Sequence, residues 1–251
     1  MSFDIVIPVG PKDDKFIFKQ IEFTKKNILG YRNIYLICSD PTLIVDGCVT
    51  INESIFPFSI NTVAEFHGKN PRNGWFLQQL LKLYSSNCIP DILDRYLAID
   101  SDTCFLKPTT FIDEDDKCLY NWGTEYHGPY FQHMLKLNKD LTKVYPDKSG
   151  ICHHMLFETK YINEIISKIE TEHDDTFYNI FLKMVTNPLF SGASEYEIYF
   201  NYMLKNHPDK IKLRFLTFND TNKKSRAQQR TIASLLKKNK LDYVSEHYYL
   251  R

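Results

Sequence analysis

The chain reads as an α/β protein whose mainly parallel central sheet is flanked by helices, and three observations predict that class. Apolar runs such as Phe3-Asp4-Ile5-Val6-Ile7-Pro8-Val9 and Tyr96-Leu97-Ala98-Ile99 have the length and continuity of strands buried on both faces. Segments such as Lys15–Ile28 and Trp75–Ser85 carry apolar residues at helical spacing. Strand and helix alternate through the first part of the chain, the order that produces a parallel sheet.

Phe3–Val9 is broken by Gly10-Pro11 into a loop containing Asp13 and Asp14. Lys15–Ile28 sets Phe16, Ile17, Ile21, Phe23 and Ile28 among polar residues, and Gly30 supplies a helix stop. Asn33–Cys38 is a second strand ending in Ser39-Asp40-Pro41, and Val49-Thr50-Ile51 is a short third. Helices near Asn61–His67 and Trp75–Ser85 lead to a strand that delivers Asp100-Ser101-Asp102, with Thr103-Cys104-Phe105-Leu106 continuing beyond. The order then loosens into strands near Lys117–Trp122 and Ile151–Phe157, a helix near Tyr161–Ile169, a Phe/Tyr-rich segment through Asn187, and a helix from Glu195 to Lys205. No linker, repeat or low-complexity stretch interrupts it. Residues 1–251 therefore read as one domain, with about 1–110 binding nucleotide and about 111–251 shaping the acceptor side.

With 251 residues and 43% apolar content the chain can bury a substantial core. Lys+Arg and Asp+Glu balance at 31 each, so no net field draws it to nucleic acid or an anionic membrane. The most basic stretch, Lys223-Lys224-Ser225-Arg226 with Arg230 and Lys237-Lys238-Asn239-Lys240, reads as a solvated helix face. Six cysteines without C-x-x-C spacing, and a start at Met1-Ser2-Phe3-Asp4 without secretory character, predict a reduced cytoplasmic location. No apolar segment reaches the ~20 residues of a membrane span, so any membrane contact is expected to be peripheral.

The most informative motif is Asp100-Ser101-Asp102. On a strand, residues i and i+2 share a face, so the two carboxylates lie close enough to repel. A divalent cation removes that repulsion, and hard oxygen ligands suit Mg²⁺ or Mn²⁺ with positions left open for phosphates. Ligands of open α/β sheets bind beyond the C-terminal strand ends, where the Pro8–Asp14 loop and the acid pair both lie. The two are expected to converge. In Ser194-Glu195-Tyr196-Glu197, the S-x-x-E pattern of a capping box assigns Glu197 to the helix cap. Glu195 is left at the first helical position, behind a Gly192-Ala193 approach, and the helix N-terminus favours its charged form.

A D-x-D after an apolar strand, preceded by a half-Rossmann βαβ unit, resembles the GT-A class of nucleotide-sugar-dependent glycosyltransferases over most of the chain. Asn73-Gly74-Trp75-Phe76-Leu77-Gln78-Gln79-Leu80-Leu81-Lys82-Leu83, His153-His154-Met155-Leu156-Phe157 and Ser194-Glu195-Tyr196-Glu197-Ile198-Tyr199 resemble stretches of bacterial and large-virus glycosyltransferase-like proteins. The resemblance implies a GT-A-like, Rossmann-like sheet with a less regular C-terminal acceptor half, in the cytoplasm of a bacterium or of a virus-infected host. It implies metal-dependent transfer of a sugar from a UDP- or GDP-sugar to a hydroxyl of a glycan or glycoconjugate. Val9, Gly10 and Asp13 would line the base and ribose pocket. Asp100 would meet ribose or metal, and Asp102 would be the more direct ligand of Mn²⁺ or Mg²⁺. Lys82 would face the diphosphate, beside whichever of Gln78 and Gln79 faces the cleft, taken as Gln79. His154, in preference to His153, would complete the metal shell, and His127 would contact sugar from an aromatic loop. Glu195 would be the base of an inverting displacement.

Plainer roles stand beside these. Asp13 also reads as a loop residue, Lys82 as a solvated helix lysine, Trp75 as core and the histidines as packing. D-x-D is also how haloacid-dehalogenase-type phosphatases present a nucleophile and acid, although those carry it on the first strand, followed by Gly and Thr. A third reading is a non-catalytic nucleotide-sugar or glycan-binding module.

Overall fold

The computed structural model describes residues 2–11, 13, 16–220 and 241–245. In chain order the elements are β1 (Phe3–Pro8), α1 (Ile17–Asn27), β2 (Tyr31–Cys38), β3 (Val49–Asn52), α2 (Ile60–His67), α3 (Asn73–Cys88), β4 (Arg95–Ile99), β5 (Thr103–Phe105) and β6 (Cys118–Asn121). They continue with α4 (Gly128–Leu137), β7 (His154–Glu158), α5 (Thr159–His173), α6 (Phe177–Lys183), α7 (Glu195–Asn206), β8 (Ile211–Arg214), β9 (Phe218–Asp220) and β10 (Tyr243–Ser245).

The main sheet has the order β3-β2-β1-β4-β7. Its first four strands are parallel and β7 runs antiparallel at the edge. The expected α/β class, a mostly parallel sheet flanked by helices, is therefore the observed one. β1 is buried along its whole length, which is why its sequence is a continuous apolar run and not an alternating one. Its single charge, Asp4, is satisfied by four donors: Arg32 Nε (3.1 Å) and Nη2 (2.6 Å), and the amides of Asn33 (3.0 Å) and Leu93 (2.8 Å). A buried carboxylate is tolerated when its lone pairs are used in this way. Asp4 thereby ties β1, β2 and the approach to β4 together at their N-terminal ends, and the opposite edge is left for a site.

Two small sheets, β5-β10-β9 and β6-β8, flank the main one. β4 leaves the main sheet at Ile99, and the Thr103 amide closes onto the Asp100 carbonyl at 3.0 Å. Asp100–Asp102 is thus a turn between β4 and β5, which corrects the expectation that the two acids share a strand face. α4 also departs from the sequence reading, which placed His127 in an aromatic loop over Thr124–Tyr130. Gly128-Pro129 is a loop signal, but Pro in the first turn equally opens a helix, and Tyr130, Met134 and Leu137 form its buried stripe. Strands β8 and β10, of four and three residues, were too short to leave a periodic signal. The basic stretch from Lys223 to Lys240 lies outside the described residues, as does Asp14.

One apolar cluster extends from Phe3 to Tyr243. α3 packs on both β1 and α7, and so bridges the main sheet and the C-terminal half. Among the described residues no helix is long and apolar enough to cross a membrane, and all six cysteines are free thiols.

Two histidines close the end of α6. His67 Nε2–H donates to the Leu182 carbonyl (2.9 Å) and His133 Nε2–H to that of Phe181 (2.8 Å). Burial pushes both imidazoles below the usual range, His133 to about 4. An unfolded histidine titrates near ~6.5, so the unfolded chain takes up the proton first as pH falls. The histidine contribution is full above that value and is lost as pH falls toward the folded one. The Tm deficit of His133→Gln relative to wild type should therefore be largest near pH ~7 and shrink by pH ~5 in thermal melts.

Candidate active site

The site is assembled where α3, α7 and the turn after β4 meet. α3 buries Phe76, Leu77, Leu80, Leu81 and Leu83, but Gln79 and Lys82 are buried with them, 1% exposed each. Three positions apart, they share one helix face. Gln79 Oε1 accepts the backbone N–H of Glu195 (3.1 Å) and so caps the start of α7, while Ser194 Oγ accepts that of Glu197 (3.2 Å). Of the two adjacent glutamines it is Gln79 that faces inward, as expected.

Lys82 Nζ donates to Glu195 Oε1 at 2.8 Å and also to Asp100 Oδ1, and it lies 4.5 Å from the centre of the Tyr196 ring. The ammonium has three N–H groups, and two acids and a π face take up its surroundings. Lys82 is therefore not a solvated lysine; it is the cation of a buried acid–lysine–acid cluster. Glu195, expected at the helix start with no other duty, is 3% exposed and ion-paired.

Asp100 has further partners. Tyr196 O–H donates to Oδ1 (2.9 Å), His153 Nδ1 lies 3.5 Å from Oδ2, and the His153 carbonyl accepts the Asp100 amide (3.0 Å). Burial works against the Asp100 carboxylate, but Lys82 and His153 outweigh it and hold the group far below the usual carboxylate range. For Lys82, burial is outweighed by Asp100 and Glu195, so the ammonium sits above the usual lysine range. Burial raises Glu195, offset in part by Lys82.

The expected convergence of loop and acid pair is present. Ser101, the middle residue of D-x-D, donates its hydroxyl to Asp13 Oδ2 (2.8 Å). A Cβ on Gly10 would stand 3.3 Å from that same oxygen, so glycine keeps room for Asp13 to face the turn. Val9 extends β1 by one bond, its amide reaching the Ile37 carbonyl at 2.7 Å. On the other side of the turn, Asp102 Oδ1 accepts from Ser245 Oγ (3.0 Å), which lies 3.2 Å from Thr103 Oγ1.

Among the described residues no three His, Cys, Asp or Glu side chains are grouped to hold a metal ion. One or two carboxylates beside a phosphate-binding edge are nonetheless the protein share of a Mg²⁺ or Mn²⁺ site completed by substrate and water. Asp102, with Asp100 through Oδ2, fits that share. His154 does not. β7 pairs His154 with Ile99, and its ring stands edge-on to Phe105, Phe111 and Tyr243 at 5.0, 5.5 and 5.1 Å. Burial pushes that imidazole down to about 3. His153, at φ +60° just before β7, is the histidine turned to Asp100.

Glu197 also departs from expectation. Ser194 supplies its half of the capping box, but the Glu197 carboxylate accepts from Ser149 Oγ (2.5 Å) and Asn201 Nδ2 (2.7 Å) instead of the cap amide. His127 caps no helix through its side chain. Its Nε2–H donates to the Ser191 carbonyl (2.7 Å) and its ring stands 4.5 Å from that of Tyr130, which stacks on Trp75 at 6.2 Å. These contacts join the loop before α4 to the loop before Glu195.

The family described as a family of unknown function, DUF6492, matches residues 33–246, a span that includes Lys82, the D-x-D turn and Glu195. No curated protein matches the chain. Among solved structures, mouse xyloside xylosyltransferase 1 in its apo form is similar at 9% identity, with 100% of this chain and 99% of that chain covered and a TM-score of 0.46.

Three variants separate the buried acids and their lysine. Glu197→Ala should strand Ser149 and Asn201 and lower unfolding free energy by about 2–4 kcal/mol in urea titrations, while Glu197→Gln costs less than half as much. Lys82→Ala leaves two carboxylates facing each other without a cation. Its loss should be about 3–5 kcal/mol, the range for breaking a buried pair from one side.

Proposed function

The chain belongs to the DUF6492 family, and we propose that it is a metal-dependent glycosyltransferase that moves a sugar from a nucleotide-diphosphate sugar to a hydroxyl of a glycan or other acceptor. The observation that carries this reading is the meeting, at the C-terminal ends of β1 and β4, of the Asp13 loop, the D-x-D turn and the Lys82–Glu195 pair. That sheet edge is where open α/β folds bind nucleotides. Two carboxylates and a base are the groups this transfer needs.

In this reading the first part of the chain, to about residue 110, binds the donor, and the rest shapes the acceptor side. Val9, Gly10 and Asp13 hold the base and ribose of a UDP- or GDP-sugar. Asp102, with Asp100, would hold Mn²⁺ or Mg²⁺, which when bound would offset charge on the leaving diphosphate. Asp100, fixed by Lys82, Tyr196 and His153, sets the donor's position at the turn. His127 and Trp75, tied into the loop before α7, border the acceptor approach.

Glu195 takes the acceptor proton. The hydroxyl O–H bond breaks toward the Glu195 carboxylate as the oxygen attacks the anomeric carbon, and the bond from that carbon to the diphosphate breaks with its electron pair on the leaving oxygen. A single displacement of this kind inverts the anomeric centre. Burial raises the basicity of Glu195, and Lys82 fixes its direction by holding Oε1. The dehalogenase-type phosphatase reading loses support, because the acid pair follows β4 and Asp100 is neutralised by Lys82.

Thermal shift against a panel of nucleotide-sugars, with and without Mn²⁺, tests the donor half. One UDP- or GDP-sugar should raise Tm, more with metal than without, and Asp102→Ala should abolish the metal-dependent part. Stabilisation by no member of the panel would defeat the reading. With the donor known, Glu195→Gln should reduce turnover by roughly 10²-fold or more at near-native donor affinity. Product NMR should show inversion; retention would remove Glu195 as base.

A further inference from the structure

We propose that Tyr196 is a positioning residue for the donor diphosphate, acting through Asp100. The inference rests on the glycosyl-transfer reading of the site, but its geometry stands apart from it. Tyr196 is the second residue of α7, directly after Glu195. Its hydroxyl donates to Asp100 Oδ1 at 2.9 Å, and its ring carries the Lys82 ammonium 4.5 Å from its centre. One side chain therefore touches both charged partners of the cluster.

Each part of Tyr196 is fixed by something else. The ring is 4% exposed and stacks on Phe157 of β7 at 6.3 Å, with an interplanar angle of 18°. Its backbone carbonyl faces Gly150 in the loop before β7, where a Cβ would come within 2.9 Å of it. The phenol cannot swing away without disturbing β7. Asp100 lies in a turn, whose backbone alone does not select one carboxylate rotamer. Lys82 divides its ammonium between Asp100 and Glu195, so it is not a dedicated partner of Asp100. The tyrosine hydroxyl is the rigid donor of the set, and it holds Oδ1 inward while Oδ2 lies on the His153 side, 3.5 Å from Nδ1. A carboxylate so oriented meets a diphosphate or its counter-ion in one pose.

Two measurements test this. The first is independent of function: a double-mutant cycle in urea between Tyr196→Phe and Asp100→Ala, with Asp100→Asn in place of the latter where it does not fold. The ring and its contact with Lys82 survive in Tyr196→Phe. Coupling of at least about fivefold in the unfolding equilibrium constant is expected for a hydrogen bond to a charged group, and additive effects would overturn the contact. The second is calorimetry with UDP and GDP, and with uridine and guanosine, in the presence of Mn²⁺. Tyr196→Phe should weaken the diphosphate roughly tenfold or more and the matching nucleoside less than about twofold, with Tm lowered by no more than about 2–4 °C. Equal losses for both, or none, sink the positioning role. If the wild type binds neither nucleotide while the cycle shows coupling, the glycosyl-transfer reading falls and the orientation of Asp100 by Tyr196 stands.

Discussion

Lys82 Nζ holds two acids that arrive from opposite parts of the chain, Asp100 from the end of β4 and Glu195 from the start of α7. Without a cation between them the acids would repel across a buried space, where charge interactions are stronger than in water. The lysine is 1% exposed, so it does not exchange these partners for solvent. Desolvating three charges is costly, and the cluster is weak evidence for stability taken alone. Its value lies in geometry. It forces α3, α7 and the β4 turn into one arrangement, and Gln79 repeats the constraint through a neutral bond to the Glu195 amide.

The pinning at the other end of the sheet has the opposite character. Asp4 meets its four donors at the N-terminal ends of the strands, away from the cleft, and its partners are backbone amides and one bidentate arginine. Such a carboxylate has no spare capacity for a ligand. The protein thus places saturated charge where the frame is held, and places its acid–lysine–acid cluster where the loops converge. Glu197 belongs to the first kind: beside Glu195 in sequence, it is satisfied by Ser149 and Asn201 and ties the loop before β7 to α7.

Much of the frame was legible in the residues. β1 and β4 had to be inner parallel strands because burial on both faces demands unbroken apolar runs, and D-x-D marked the turn on which the Asp13 loop converges. The central pair of the site was not legible as a pair, because Lys82 and Glu195 are 113 residues apart and one sequence carries no pairing information. Ser194-Glu195-Tyr196-Glu197 disclosed the cap, yet the pattern is local and the true partner of Glu197, Ser149, lies 48 residues back. The sequence reading preferred His154 to His153 at the acid pair, whereas it is His153 that meets Asp100. That choice follows from the β4–β7 register, which aligns His154 with Ile99 and leaves His153 beside the turn.

The turn that bears D-x-D is completed from far away in the chain. β5, which leaves the turn, is paired with β10, and Asp102 bonds to Ser245 across 143 residues. Contacts of such separation close late in folding, because loop entropy must be overcome before they contribute. Until β10 docks, β5 is an open strand edge, the kind of surface on which nascent chains pair wrongly with one another. Docking of β10 thus closes that edge in the same step that gives Asp102 its bond to Ser245.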